Sequence, residues 1–421
     1  MTSQAFTLVF AVALLASVAT KLWLATRQIR HVAGHRDSVP AGFASRIDLA
    51  AHRRAASYTI ARTQLSIVES VFGALVLVGF TLFGGLQLLL GALESLLPAS
   101  SFLRSMAFVA VVFTISALLE LPFAWARQFR IEQRFGFNRM TPGLFFADAA
   151  KAAAVAAVLG LPLLALVLWL MRSSGSWWWL WVWIAWAVFN VGVLVLYPTV
   201  IAPLFNRFEP LPQGELRHRV EALLARCGFA SKGLFVMDGS RRSAHGNAYF
   251  TGLGRAKRIV FFDTLVSRLE PPEIEAVLAH ELGHYERRHV QKRIALMFAA
   301  SLAGLWLLGW LSRQAWFFEG LGVSPGIGDL DAVALVLFLL VMPVFTFLLQ
   351  PLFSAVSRRH EFEADAFAAR HARAQDLAAA LVKLYKDNAS TLTPDPVHSA
   401  FYDSHPPASQ RIGRLGELSS A

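Results

Sequence analysis

The sequence predicts a mainly α-helical, polytopic membrane protein of about seven transmembrane helices, with a smaller polar α+β domain beside them. Three observations carry that prediction. The 421 residues are 56% hydrophobic and only 16% charged, with 33 Phe and 12 Trp, a composition that suits lipid better than water. Seven stretches are apolar over roughly the 20 residues that a bilayer core requires. A long polar insertion separates the fifth from the sixth, and a polar tail follows the seventh.

In chain order the apolar stretches run over approximately 6–24, 67–93, 103–125, 150–171, 176–203, 293–312 and 331–356. The first has no basic residue before it, whereas Lys21, Arg27 and Arg30 come at or after its end. A secretory signal has the opposite polarity, so the segment reads as an uncleaved anchor with its N-terminus outside. Arg27, Arg30, Arg36, Arg46, Arg53, Arg54 and Arg62 then mark one connection as cytoplasmic, and Arg127, Arg130, Arg134 and Arg139 mark the next. The opposite side carries only Arg104, Arg172 and Arg313. Seven spans from this start leave the C-terminus in the cytoplasm. The formal charge of +11 is accounted for by this positive-inside bias, and no nucleic-acid partner is expected. The single Cys227 excludes an intrachain disulfide and a multi-cysteine zinc site. Only 7 of the 39 basic residues are Lys, which points to a GC-rich bacterial genome and hence to a bacterial inner membrane.

These features divide the chain into residues 1–203 (five spans), 204–292 (a cytoplasmic insertion), 293–356 (two spans) and 357–421 (a C-terminal segment). The insertion opens with helical pattern at 215–229, followed by strand-like runs at 233–239 and 257–263. Between these two, residues 247–254 combine β-formers with glycines and read as an edge strand or hairpin arm. An edge strand there would let a peptide add beside it through main-chain hydrogen bonds.

The run 271–290, PPEIEAVLAHELGHYERRHV, reads as a helix, with Pro271 and Pro272 at its start, Glu273 and Glu275 in its first turns and Arg287 and Arg288 near its end. Within it, His280 and His284 are four apart and share a face, so both imidazoles can point at one ion. Glu281 lies close enough to polarise a water at that ion, the mechanics of the HExxH zinc-hydrolase motif. Hydrolytic zinc sites carry three protein ligands plus water, so one ligand is still missing. A second helical run, SRRHEFEADAFAARHA (357–372), is its best source. Glu361 and Asp365 share a face of that helix, and one carboxylate can ligate while the other holds a ligand histidine by its free N–H. Glu363 lies about 200° round the helix from Glu361 and faces elsewhere. In the tail, DSHPPASQRIGRL (403–415), the two prolines fix the backbone after His405 and Arg411 follows. The two residues read as donors for the oxyanion formed when a peptide carbonyl is attacked.

Seven stretches in order resemble the CAAX prenyl protease 1 family of integral-membrane zinc metalloproteases. They are IEQRFGFNRMTPGLFFAD (131–148), YPTVIAPLFNRFEPLP (197–212), DGSRRSAHGNAYFTGLG (238–254), KRIVFFDTL (257–265), LAHELGHYERRH (278–289), SRRHEFEADAFA (357–368) and SHPPASQRI (404–412). The resemblance covers most of the chain after about residue 130. It implies a zincin-like cytoplasmic domain, one Zn2+ per chain on His280, His284 and Glu361, and Glu281 as general base. It also implies Asp365 as the partner behind a ligand, Asn247 as a holder of substrate backbone, and His405 and Arg411 near the scissile carbonyl. Seven helices around a large chamber, and a peptide substrate with or without a prenyl group, belong to the same expectation. A site-2-type intramembrane protease is disfavoured, because the charges of the HELGH helix precede a separate span. An intact HExxH with a plausible third ligand disfavours a catalytically silent membrane scaffold. General quality control of membrane proteins remains open beside dedicated CAAX processing.

Overall fold

The computed structural model describes residues 1–97, 101–251, 258–324 and 330–420. Among these, seven helices are long and apolar enough to cross a membrane. They are Ser3–His35, Leu49–Phe80, Phe102–Glu132, Pro142–Ser173, Gly175–Phe205, His289–Leu311 and Leu330–His371. Their starts follow side-chain chemistry. Thr2, Asp48 and Thr141 accept hydrogen bonds from the otherwise unpaired backbone N–H groups of Ala5, Ala51 and Leu144, and Pro142 occupies a first-turn position where no N–H is needed.

Most helices outrun the apolar windows. The second window differs more. Instead of one span over 67–93, the helix Leu49–Phe80 ends at a turn, and a separate helix, Gly85–Leu96, begins after it. Gly84 in the turn takes φ 77, a left-handed conformation that glycine adopts without steric cost. Apolarity runs across this break, so hydropathy alone misses it. At the centre of the bundle, Val333, Ala334 and Leu337 of the helix Leu330–Thr346 are fully buried, while residues such as Leu15 and Val188 face outward, where lipid takes the place of a protein core. A π-helical turn at Arg127–Glu132 ends the third span, and another at Tyr197–Ile201 precedes the last helical turn, Ala202–Phe205, of the fifth.

The polar domain holds a four-stranded sheet made of β1 (Phe208–Pro210), β2 (Leu234–Met237), β3 (Ala248–Thr251) and β4 (Arg258–Phe262). Its order is β1-β2-β4-β3, with β2 and β4 parallel and the other pairs antiparallel. β3 is therefore an edge strand, as the pattern at 247–254 suggested, although residues 252–254 lie outside the described residues. β1 escapes a pattern reading because it is three residues long and ends in proline. Helices Glu215–Arg226 and Pro271–Glu286 cover the sheet through Val220, Leu223, Phe261, Ile274 and Leu278.

Two helix boundaries near the site differ from expectation. The run 271–290 is two helices, because Arg288 takes φ 55 and a new helix, His289–Leu311, starts behind it. The acidic helix begins at Gln350 rather than near 357, and only a short 3-10 turn, Phe347–Leu349, separates it from the last span. Glu361 thus stands on a rigid extension of that span.

Candidate active site

The helix Pro271–Glu286 starts with a reciprocal cap. The Glu270 side chain accepts from the third helical residue's N–H, and Glu270 N donates to Glu273 Oε2 at 2.8 Å. It then packs against the helix Gln350–His371. Gly283 explains how close the two come, since a Cβ there would meet Ala364 Cα at 2.9 Å. The glycine of HELGH is therefore a packing requirement that brings Glu361 up to the two imidazoles.

His280 Nε2 lies 3.2 Å from His284 Nε2. Glu361 Oε1 is 3.2 Å from His284 Nε2, and Glu361 Oε2 is 3.4 Å from His280 Nε2. Bonds of 2.0–2.1 Å from a tetrahedral ion imply ligand separations of about 3.3 Å, and the three measured edges fall around that value. Glu361 Oε2 is buried and has no hydrogen-bond partner among the described residues, which a cation would supply. The donor set thus fits a metal ion. Glu281 is half-buried on the same helix and makes no hydrogen bond or ion pair among the described residues, so its carboxylate is available.

Behind the cluster the two imidazoles have different partners. His280 Nδ1 donates to Asp365 Oδ1 at 2.8 Å. Arg411 clamps the same carboxylate, with Nε 2.9 Å from Oδ2 and Nη2 2.6 Å from Oδ1. Burial works against a charge on His280, but hydrogen bonds to Asp365 and Glu361 outweigh it and push the imidazole pKa up to about 9. His284 Nδ1 instead meets His289 Nδ1 at 3.0 Å, and His289 Nε2 donates to Glu363 Oε2 at 3.1 Å. His360 stacks on His289 at 3.9 Å between ring centres. With His289 donating from Nε2, its Nδ1 accepts from His284, which leaves His284 Nε2 free as a ligand atom.

His405, from the loop before the helix Ala408–Ser420, points its Nε2 at Glu361 Oε1 from 3.4 Å and remains largely exposed. The loop is held by Arg358, whose Nη1 donates to the carbonyls of Ser399, Ala400 and Asp403. Arg411 is 5% exposed. Its fork is spent on Asp365, with Nη1 3.5 Å from Glu361 Oε2, rather than held out as a free donor for substrate. Asn247 is exposed at the head of β3, where its Oδ1 accepts from Ala248 N at 2.8 Å.

Several contacts at this site have no signature in local sequence. His245 stacks on Phe137 at 4.3 Å, and its ring nitrogens face Glu132 Oε2 at 3.2 Å and Asn388 Oδ1 at 3.3 Å. Glu132 in turn accepts from the Tyr58 hydroxyl. This network ties the loop that carries Asn247 to the second and third spans. Tyr385, whose hydroxyl pKa burial pushes up, also faces the site. The third histidine of HELGHYERRH was the one available hint of the His289 contact.

Comparison with known proteins agrees with this geometry. A family described as CAAX prenyl protease N-terminal, five membrane helices, matches residues 28–207, and Peptidase family M48 matches residues 210–419. CAAX prenyl protease 1 of Saccharomyces cerevisiae is 32% identical over 395 residues, spanning 89% of this chain and 87% of that protein. The Arabidopsis thaliana homologue is 36% identical over 318 residues, with 75% and 74% covered. The human homologue is 30% identical, with 97% and 95% covered. The crystal structure of S. mikatae Ste24p superposes with a TM-score of 0.91 at 29% identity, covering 97% of this chain and 99% of that one. The two family matches together span nearly the whole chain, and with the HELGH cluster they make this protein a membrane metallopeptidase belonging to the CAAX prenyl protease 1 family.

Proposed function

We propose that the protein is a zinc endopeptidase in which His280, His284 and Glu361 hold one ion per chain. The observation that carries this reading is the triangle of ligand atoms at tetrahedral spacing, with buried Glu361 Oε2 making no hydrogen bond among the described residues. Bound zinc supplies a Lewis acid for the peptide carbonyl and lowers the pKa of water. Glu281 accepts the proton from the attacking water and returns it to the leaving amine. His405 Nε2 donates to the oxyanion. Asp365 orients His280, and Arg411 serves as the clamp on Asp365. Asn247 and β3 bind substrate backbone, the peptide adding to the free sheet edge.

The site opens on the cytoplasmic side, supported by the Arg bias of the connections. The four-part division at about residues 203, 292 and 356 follows from the same topology. A C-terminal CAAX-type peptide is a substrate, a reading supported by the names of the CAAX prenyl protease 1 relatives that match most of the chain. In a bacterial inner membrane, which the scarcity of Lys favours, backbone recognition suits a physiological role closer to quality control of membrane proteins.

Glu281→Gln tests the assignment. It should keep the metal and lose turnover by at least about 100-fold, whereas His280→Ala with Glu361→Ala should lose the metal itself. Full zinc occupancy in that double variant, measured by metal analysis, would remove the ligand assignment.

A further inference from the structure

A cavity of about 980 Å3 adjoins the metal cluster. One wall is the site itself, with Asn247, Tyr385, His405 and Arg411. The opposite wall belongs to the membrane helices. Thr59, Arg62, Thr63, Ser66, Glu69 and Ser70 form a polar stripe on the helix Leu49–Phe80, and Lys21 faces it from the helix Ser3–His35. Spacings of three and four put the stripe on one helix face. A polar face on a membrane helix lines water or a polar ligand, because lipid cannot satisfy it.

Most of the charges in the lining are matched. Arg127 pairs with Glu69 at 2.6 Å and Arg411 with Asp365 at 2.6 Å. Asp403 hydrogen-bonds Ser399, and burial pushes its carboxyl pKa up. Lys21 and Arg62 are different. Neither makes an ion pair among the described residues. Lys21 Nζ lies 4.9 Å from the centre of the Phe347 ring, and Arg62 Cζ lies 5.5 Å from that of Tyr58. The acid near Arg62 is Glu132, already engaged by Tyr58 and His245. Half-buried Lys21 and exposed Arg62, each beside an aromatic ring and neither ion-paired to a carboxylate among the described residues, form a receptor for an anion at the cavity wall.

Resting on the peptidase reading above, we propose that this cavity receives the leaving, C-terminal segment of the substrate, and that Lys21 and Arg62 bind its free α-carboxylate. A peptide lying along β3 passes the metal cluster and runs on past Asn247 into the cavity. There its backbone meets the polar stripe and its terminus meets the two cations. The enzyme then measures its cut from the chain end. A segment with flanking sequence on both sides of the same bond leaves the cations unmatched.

The test uses the full-length zinc-loaded protein in vesicles and one peptide in two forms, with a free C-terminal carboxylate or a C-terminal amide. The free acid should be cut with a kcat/KM about tenfold or more above the amide, most of it in KM, the scale of a hydrogen bond to a charged group. Arg62→Gln and Lys21→Met should each shrink that ratio towards one by raising the KM of the acid alone. Arg62→Lys and Lys21→Arg, which keep the charges, should retain it. Equal cleavage of acid and amide by the wild-type protein would overturn the proposal, as would a ratio unchanged in the neutral variants. A preference present in phosphatidylcholine vesicles but absent with added phosphatidylglycerol would assign the cations to lipid phosphates and overturn it too. Failure of the metal-loaded wild-type protein to cut either form is a separate result, which removes the peptidase reading itself.

Discussion

His280 and His284 sit one turn apart on one helix and face the same point, yet the protein supports them differently. Behind His280 stands a buried ion pair, with Asp365 1% and Arg411 5% exposed. Behind His284 stand His289 and then Glu363, a weaker chain that ends at a side chain 32% exposed. The first support is a clamp closed off from water, where loss of one charge strands the other. The second is a relay with its far end in solvent, where water can stand in for the lost partner. One histidine is thus fixed by a cost that solvent cannot relieve, and the other is held more gently.

The largest expected effect breaks the His280 side. Asp365→Ala should weaken metal affinity by about 10–100-fold, and the stranded Arg411 should cost about 3–5 kcal/mol of stability. Competition with a chelator reads the first and thermal unfolding of the metal-free protein the second. If Asp365→Ala with Arg411→Met recovers the stability but not the affinity, the two functions of the clamp are separated.

His289→Ala breaks the other side. Metal affinity should fall by about tenfold, with little loss of fold, and His289→Gln should recover part of it. Glu363→Ala acts at the exposed end and should cost roughly threefold or less. A Glu363 effect as large as that of Asp365 would show that the two supports are equivalent. Because they share no residue, Asp365→Ala and His289→Ala should be additive in a double-mutant cycle on metal affinity.

A pH dependence should also separate the two sides, and only the His280 side should show it. In the metal-free protein the imidazole pKa is raised from 6.5 to about 9. The protonated ring therefore stabilises the empty fold fully below about pH 6.5, and that contribution fades as pH rises through about 9. A metal must displace the proton, so apparent affinity should climb between those values and level off above them. In Asp365→Asn the climb should move to lower pH, whereas in Glu363→Gln it should stay in place.

This asymmetry was only half legible in the sequence. A spacing of four on a helix is local information, so it yields His280 with His284 and Glu361 with Asp365 without a structure. The same rule placed Glu363 away from the cluster, and it does face away. Its contact with His289 spans 74 residues and depends on the break at Arg288, where a basic residue adopts a conformation that its neighbours do not announce. Arg411 taught the opposite lesson. Its proximity to the site could be anticipated, but its commitment to Asp365 depends on helix packing. The spans were visible because hydropathy is additive along a chain. The break after Phe80 was hidden, since an average over twenty residues erases it, and most of the polar stripe at 59–70 fell in the connection before the window at 67, which the structure makes part of the helix Leu49–Phe80.

The near-continuity of the last span with the helix that carries Glu361 bears on how the enzyme is made. His280 and His284 leave the ribosome ahead of the final two membrane crossings, and Glu361 leaves it after them. A nascent chain therefore displays HELGH for the whole time needed to synthesise and insert the 77 further residues (285 to 361) that bring in Glu361. The two halves meet only when the last helix has been threaded and docked, with Gly283 against Ala364. With Glu361 as the third ligand proposed above, proteolytic competence would be withheld until membrane integration is finished, and chains that stall or insert wrongly would remain inert towards their neighbours.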